Sequence, residues 1–128
     1  LVNEDGKIEL AFDNKRRLMV VDVVGTLDEC RFTYQGLHVS KEVARIYYRR
    51  TEWAEQVEKA KQKAKEQGIE DWKRLVKAKP PKLDPSLKNL ISEIYMAVAN
   101  TLTNRRLFDA PSLAETMRKY KKYMGDKT

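Results

Sequence analysis

The chain has a single cysteine, Cys30, in 128 residues. No disulfide can form within it, which fits a reducing compartment. Cys30 sits beside Arg31, but no base partner stands near it in sequence to make it a catalytic thiol. The one histidine, His38, reads as a loop or packing residue rather than a catalyst. No apolar run approaches the roughly 20 residues needed to span a bilayer. The first residues, Leu1-Val2-Asn3-Glu4-Asp5, lack the basic and apolar regions of a signal peptide. They also lack an initiator methionine, so the expectation is a chain that starts inside a longer polypeptide and is cytoplasmic. There is no internal repeat and no low-complexity tract.

Hydrophobic residues make up 41% of the chain, enough for a modest core, and charged residues make up 35%. So many charges point to long solvent-facing helices. The formal net charge is +7. A basic balance of this size fits nucleic acid, an anionic membrane surface or a phosphorylated small substrate, and composition does not choose among them.

Ile8, Leu10 and Phe12 alternate with Lys7, Glu9 and Ala11, which is strand periodicity over residues 7–12. Residues 17–24 are β-branched and mostly apolar and read as a strand buried on both faces. Asp13-Asn14-Lys15-Arg16 reads as the turn of an antiparallel hairpin. Thr26 to Val39 reads as an ordered loop. A long helix is expected over 40–67, with Val43, Ile46, Trp53, Val57, Ala60 and Ala64 as its apolar stripe and Gly68 as its stop. Residues 69–76 are a candidate short helix. Pro80-Pro81 lies in a linker over 77–83. Asp84-Pro85 opens a helix over about 85–106. Ser112-Leu-Ala-Glu115 matches a capping box for a last helix over 112–124. Trp53 and Trp72 read as core or interface anchors.

With a four-residue turn at 13–16, Phe12 faces Arg17, Leu10 faces Met19, Glu9 faces Val20 and Lys7 faces Asp22. Lys7, Glu9, Ala11, Leu18, Val20 and Asp22 then share one face. Glu9 and Asp22 sit diagonally across it, roughly 7–8 Å apart at the backbone. Two carboxylates so placed suit magnesium, which takes one or two protein carboxylates plus phosphate oxygens and water. Lys7 adds a positive charge beside them. The plainer reading is a cross-strand ion pair facing solvent. Asp22 fits that reading less well, because an unpaired carboxylate among valines is costly to bury. Past the strand, Gly25-Thr-Leu-Asp28-Glu-Cys30-Arg31-Phe32 forms a strand-end loop, a frequent place for ligand contacts. Arg31 is suited to gripping a phosphate or carboxylate in bidentate fashion.

These segments resemble the SAICAR synthetase (phosphoribosylaminoimidazole-succinocarboxamide synthetase) family. The family strand Asp-x-Lys-x-Glu-Phe-Gly stands here as Asp5-Gly6-Lys7-Ile8-Glu9-Leu10-Ala11. The next, Asp-Glu-Val-x-Thr-Pro-Asp-Ser-Ser-Arg-Phe, stands as Asp22-Val23-Val24-Gly25-Thr26-Leu27-Asp28-Glu29-Cys30-Arg31-Phe32, without a gap. An Asp-Lys-Gln-x-x-Arg-like helix start stands as Ser40-Lys41-Glu42-Val43-Ala44-Arg45. The resemblance covers about residues 1–60.

The resemblance implies an α+β, ATP-grasp-like fold. Residues 1–76 would be the C-terminal part of the ligase domain and 77–128 a helical C-terminal extension. It implies an ATP-dependent ligase that condenses L-aspartate with carboxyaminoimidazole ribonucleotide in purine synthesis, with ATP and Mg2+ as cofactors. Asp5, Glu9 and Asp22 would hold the metal. Lys7, Glu9 and Asp22 would hold the nucleotide, with Lys7 and Asp22 catalytic. Asp28, Arg31, Lys41 and Arg45 would face the ribonucleotide. The family's N-terminal lobe has no counterpart here, so the chain by itself is expected to be inactive, with that lobe supplied elsewhere or by a separate chain. A homo-oligomer is also compatible, through the helices beyond residue 77. Departures from the family pattern are Ala11, Val23, Leu27, Glu29, Cys30, Thr33 and Ser40. They bear on substrate contact more than on the metal pair.

Two rivals remain. The net charge, Arg49-Arg50, Arg105-Arg106 and the run Arg118-Lys119-Tyr120-Lys121-Lys122-Tyr123 would suit a helical nucleic-acid-binding module. Against it, acidic residues interrupt the basic ones and no standard binding motif is present. A dimerisation domain built on the two helical stripes is the other. Neither accounts for three family-like segments in order, so the expected partners are small molecules, not nucleic acid or membrane.

Overall fold

A three-residue loop sets the geometry of the N-terminal half. In a computed structural model that describes residues 1–125, Asp13 pairs with Arg17 and its amide donates to the Arg17 carbonyl at 3.0 Å. Asp13 Oδ1 accepts from the amides of Lys15 and Arg17 at 2.8 and 2.9 Å. Arg16 occupies the left-handed region with φ 61°. This is the three-residue hairpin loop, a turn followed by one left-handed residue.

The loop joins β2 (Leu10–Phe12) and β3 (Leu18–Val20), which pair as Leu10 with Val20, Ala11 with Met19 and Phe12 with Leu18. The four-residue turn expected from the sequence is therefore corrected by one position. Glu9 comes opposite Val21, whose amide donates to the Glu9 carbonyl at 3.1 Å. Strand alternation then separates Glu9 from Leu18 and Val20. The single face expected to carry Lys7, Glu9, Leu18, Val20 and Asp22 does not exist. The expected burial on both faces is corrected too. Leu18 is 60% exposed, Val20 54% and Val21 51%.

A three-stranded antiparallel sheet has the order β1 (Val2–Gly6), β4 (Cys30–Tyr34), β5 (Leu37–His38). The segment read as a loop, Thr26 to Val39, thus supplies two strands. Gln35 and Gly36 both have positive φ, 50° and 76°, the tight two-residue turn that matches the twist of a hairpin. β1 is exposed along its length and is held by pairing to β4, with an irregularity between Asn3 and Asp5. Phe32 and Thr33 of β4 are buried. Gly6 faces Cys30, and a Cβ at Gly6 would lie 2.5 Å from the cysteine sulfur.

The long helix expected over 40–67 is two helices, α1 (Glu42–Arg49) and α2 (Glu52–Gln67). Thr51 breaks them. Its hydroxyl donates to the Tyr48 carbonyl at 2.7 Å and accepts from the Ala54 amide, capping α2. Gly68 ends α2 in the left-handed conformation, as its position implied. A single 3-10 turn (Trp72–Leu75) follows. The Tyr47 and Tyr48 hydroxyls donate to the carbonyls of Lys82 and Pro81, tying down the proline linker.

α3 (Pro85–Thr103) starts at the expected proline and ends three residues earlier than expected, where Asn104 turns left-handed. Asn100 closes the following loop. Its Oδ1 accepts from the amides of Leu107 and Phe108, and its Nδ2 donates to the Phe108 carbonyl. α4 (Leu113–Gly125) begins at the Ser112 cap, whose hydroxyl accepts from the Glu115 amide. α3 and α4 pack together and bury Leu87, Ile94, Val98, Thr116 and Met117.

The contacts divide the chain into two compact units. One is Leu1–Val43 with the chain from Pro85; the other is Ala44–Asp84. The architecture is α+β, with two small antiparallel sheets and four helices among the described residues. No helix among them is long and apolar enough to cross a membrane.

Candidate functional site on the three-stranded sheet

Pairing of β1 with β4 places Asp5 directly across from Arg31. Arg31 Nε donates to both carboxylate oxygens of Asp5, at 2.8 and 3.0 Å, and Nη2 donates to Oδ2 as well. These are charge-assisted bonds across an exposed sheet surface. The Arg31 hydrogen bonds hold the Asp5 carboxyl below its ordinary pKa, against a smaller desolvation effect. Asp5 in turn raises the guanidinium's. Both oxygens of Asp5 are thus engaged by an arginine.

The next group follows β1 without a break. The Lys7 amide donates to the Glu29 carbonyl at 3.1 Å, which fixes its backbone beside the start of β4. The Lys7 ammonium forms an ion pair with Glu9. That hydrogen bond is the largest cause of a raised Lys7 pKa. The charges of Glu29 and Asp22 add to it from further off. Asp22 lies at a bend past the end of β3, where strand alternation no longer dictates which way a side chain turns. Its Oδ1 accepts from the Val23 amide at 2.7 Å, and the residue is exposed. Glu9 therefore pairs with the lysine directly, whereas Asp22 acts on it only through its charge from further off, and the two carboxylates do not share a strand face.

The third group joins the loop to α3. Tyr95 donates its hydroxyl proton to Asp28 Oδ1 at 2.9 Å. Burial, with the Asp28 hydrogen bond and charge behind it, pushes the Tyr95 hydroxyl well above its ordinary pKa. Sequence reasoning missed this residue. It is one tyrosine in a helical stripe, 67 positions from its partner, and no local pattern announces it. Leu27 and Cys30 on either side of Asp28 are buried and anchor the loop.

The structure thus brings together Asp5 with Arg31, Lys7 with Glu9, and Asp28 with Tyr95. Lys41 precedes α1 and is half-buried, with its amide donating to the Leu27 carbonyl at 3.4 Å. Arg45 is exposed on α1 and belongs to the other compact unit. Among the described residues no three His, Cys, Asp or Glu side chains converge as a metal cage, so Asp5, Glu9 and Asp22 do not form one by themselves. Two of the basic residues that favoured nucleic acid have acidic partners. Arg106 pairs with Asp109, and Lys119 with Glu93 at 3.0 Å.

With this geometry in place, the chain can be set beside its sequence relatives, which are named as phosphoribosylaminoimidazole-succinocarboxamide synthases. It is a homologue of proteins of that name, as the motifs over residues 5–11 and 22–32 implied, and the match runs along 97% of its own length. A protein of Archaeoglobus fulgidus, provisionally named a phosphoribosylaminoimidazole-succinocarboxamide synthase, is 47% identical over 124 residues. The phosphoribosylaminoimidazole-succinocarboxamide synthases of Thermoplasma volcanium and Thermoplasma acidophilum are 30% and 26% identical over 113 residues, 83% of this chain. The chain spans 35% of the length of each of these relatives. No family model matches the chain, and no solved structure matches it.

Proposed function

We propose that this chain is the C-terminal part of an ATP-dependent ligase with an ATP-grasp-like fold. The ligase condenses L-aspartate with carboxyaminoimidazole ribonucleotide to give the succinocarboxamide, ADP and phosphate. The observation that carries the reading is the match to synthases of that name along nearly the whole chain, with the motif residues of β1 and β4 set side by side.

The residues divide by chemistry. Arg31, fixed by Asp5, presents a planar donor to the anionic ribonucleotide. Asp28, held by Tyr95, and Lys41 would contact the same substrate. Lys7 contacts the nucleotide and neutralises charge as phosphoryl transfer proceeds. Such transfer depends on positioning and electrostatics more than on covalent chemistry by the protein. Magnesium would be held by Glu9 and Asp22, with Glu9 released from its pairing with Lys7. Glu9 and Asp22 are hard oxygen ligands, two is the number such an ion asks of a protein, and phosphate oxygens and water complete its shell. Bound there, the ion would screen the phosphate charge. Asp5 belongs with Arg31 in this reading, because both its oxygens already accept from the guanidinium.

The exposed hairpin supports an incomplete catalytic unit. An isolated two-stranded ribbon is marginal in water. We propose that the remaining two thirds of the enzyme, in the same chain or a separate one, extends β2 and β3 into a larger sheet.

The test is a chimera. The matching segment of the Archaeoglobus fulgidus relative is replaced by this chain, and ADP release is measured with aspartate and the carboxylated ribonucleotide. Aspartate-dependent release that falls at least a hundredfold in Asp22→Asn supports both the ligase and the metal role. A folded chimera with no turnover, beside an active parent, removes the ligase reading. Turnover unchanged in Asp22→Asn keeps the ligase and removes Asp22 from the site.

A further inference from the structure

Both tryptophans of the chain, Trp53 and Trp72, line one cleft of about 410 Å³ in the unit Ala44–Asp84. That volume lies in the range of small-molecule sites. Each tryptophan is only half-buried. Trp53 stands edge-to-face with Tyr48, which also lines the cleft, ring centres 5.8 Å apart. Across the cleft the Lys61 ammonium sits 5.4 Å from the centre of the Trp72 ring, a cation–π distance. Arg45 and Arg49 line the same cleft, and Glu58, paired with Lys61 at 2.7 Å, is its one carboxylate. The cleft therefore offers flat aromatic surfaces among three cations and one anion.

We propose that this cleft binds a single nucleotide, an aromatic base bearing a phosphate. The base would lie against the indole rings, where stacking is sequence-tolerant and strong. The phosphate would take the place of Glu58 as the partner of Lys61, with the arginines beside it. The cleft has room for one nucleotide unit. Glu52, Glu55 and Glu58 along α2 disfavour the continued run of phosphates of a longer strand. The inference stands on the cleft alone. Its residues all lie in the unit Ala44–Asp84, and its test does not require turnover.

The test is tryptophan fluorescence of the whole 128-residue chain. It is titrated with adenosine 5′-monophosphate, adenosine, ribose 5-phosphate and a short single-stranded oligonucleotide. Saturable quenching by the monophosphate is expected, with adenosine and ribose 5-phosphate each at least tenfold weaker. Lys61→Gln, an exposed position that leaves the fold intact, should weaken the monophosphate about tenfold, the worth of one charge-assisted contact. Absence of saturable quenching, equal binding of adenosine, or unchanged affinity in Lys61→Gln overturns the proposal. An oligonucleotide bound a hundredfold more tightly than the monophosphate, with a steep salt dependence, overturns it in favour of a strand-binding surface.

Discussion

The hairpin of β2 and β3 and the helix pair of α3 and α4 are both rich in large apolar residues, yet they meet opposite fates. Ile94 and Val98 of α3 are fully buried, whereas Phe12, Leu18 and Val20 of the hairpin stand more than half exposed. The difference is not residue type, since valine occurs in both. It is that α3 has α4 to close over its stripe, while the hairpin shows both faces to solvent within this chain. The same apolar character goes with a core in one place and with an uncovered surface in the other.

The comparison makes a quantitative demand on stability. Ile94→Ala should lower the unfolding free energy of the chain by about 3 kcal/mol, the usual loss for a buried aliphatic truncation with its cavity. Val20→Ala should change it by less than about 1 kcal/mol, because little burial is lost at an exposed position. Urea unfolding of the two variants measures both. Equal losses would mean that the hairpin is buried in solution and would erase the contrast. In the active chimera, Val20→Asp should be strongly disruptive although it is tolerated in the isolated chain.

A smaller effect separates the hairpin from the three-stranded sheet. Gly6→Ala should cost about 1–3 kcal/mol, because its new methyl meets the buried, unyielding Cys30 sulfur at 2.5 Å. Adding Cys30→Ala should recover part of that loss, giving a coupling between the two sites in a double-mutant cycle. Additive losses would show that the contact is not the cause. Tyr95→Phe should cost about 1 kcal/mol or less, the net worth of one hydrogen bond to an exposed carboxylate. In the chimera it should alter the KM for the ribonucleotide more than kcat if Asp28 faces that substrate.

The helix boundaries set by local chemistry were legible in the sequence. Asp84-Pro85, Gly68 and Ser112 each act through their own backbone or cap, so each could be read in isolation. The register of β2 with β3 was not. It depends on Arg16 taking a left-handed conformation usually signalled by glycine or asparagine, and one extra residue of loop moves every side chain to the other face. β1 was invisible because Val2–Gly6 is polar and exposed and is held by pairing to β4, not by burial. The break at Thr51 was hidden because the apolar spacing runs on across it. For the site, residue types and spacing named Lys7, Glu9, Asp22 and Arg31, and the family resemblance added Asp5 and Asp28. The pairing among them followed from the sheet, and Tyr95 from a contact between distant segments.

The finest comparison is between two aspartates, Asp5 in the sheet and Asp13 in the hairpin loop, both held below their ordinary pKa by an arginine neighbour. The causes differ. Asp5 depends first on the Arg31 side chain. Asp13 depends first on the Arg17 backbone amide, with the Arg17 side chain second at 2.7 Å and the Lys15 amide adding to them. A depressed carboxylate stabilises the fold above its unfolded pKa, near pH 4, and that contribution is lost as pH falls through the folded value. Arg31→Gln should therefore return the Asp5 titration, followed by carboxyl NMR shifts, close to that of an ordinary aspartate. Arg17→Gln should leave most of the depression at Asp13, because a glutamine keeps the backbone donor. Asp5 is exposed and Asp13 half-buried at the surface, so the effect on global stability is small and the titration midpoint is the sensitive readout. Equal upward shifts in the two variants would mean that side-chain charge governs both sites. A large shift at Asp5 alone would confirm that the arginine on β4 is what organises the sheet's charged surface, while the hairpin loop is organised by its own backbone.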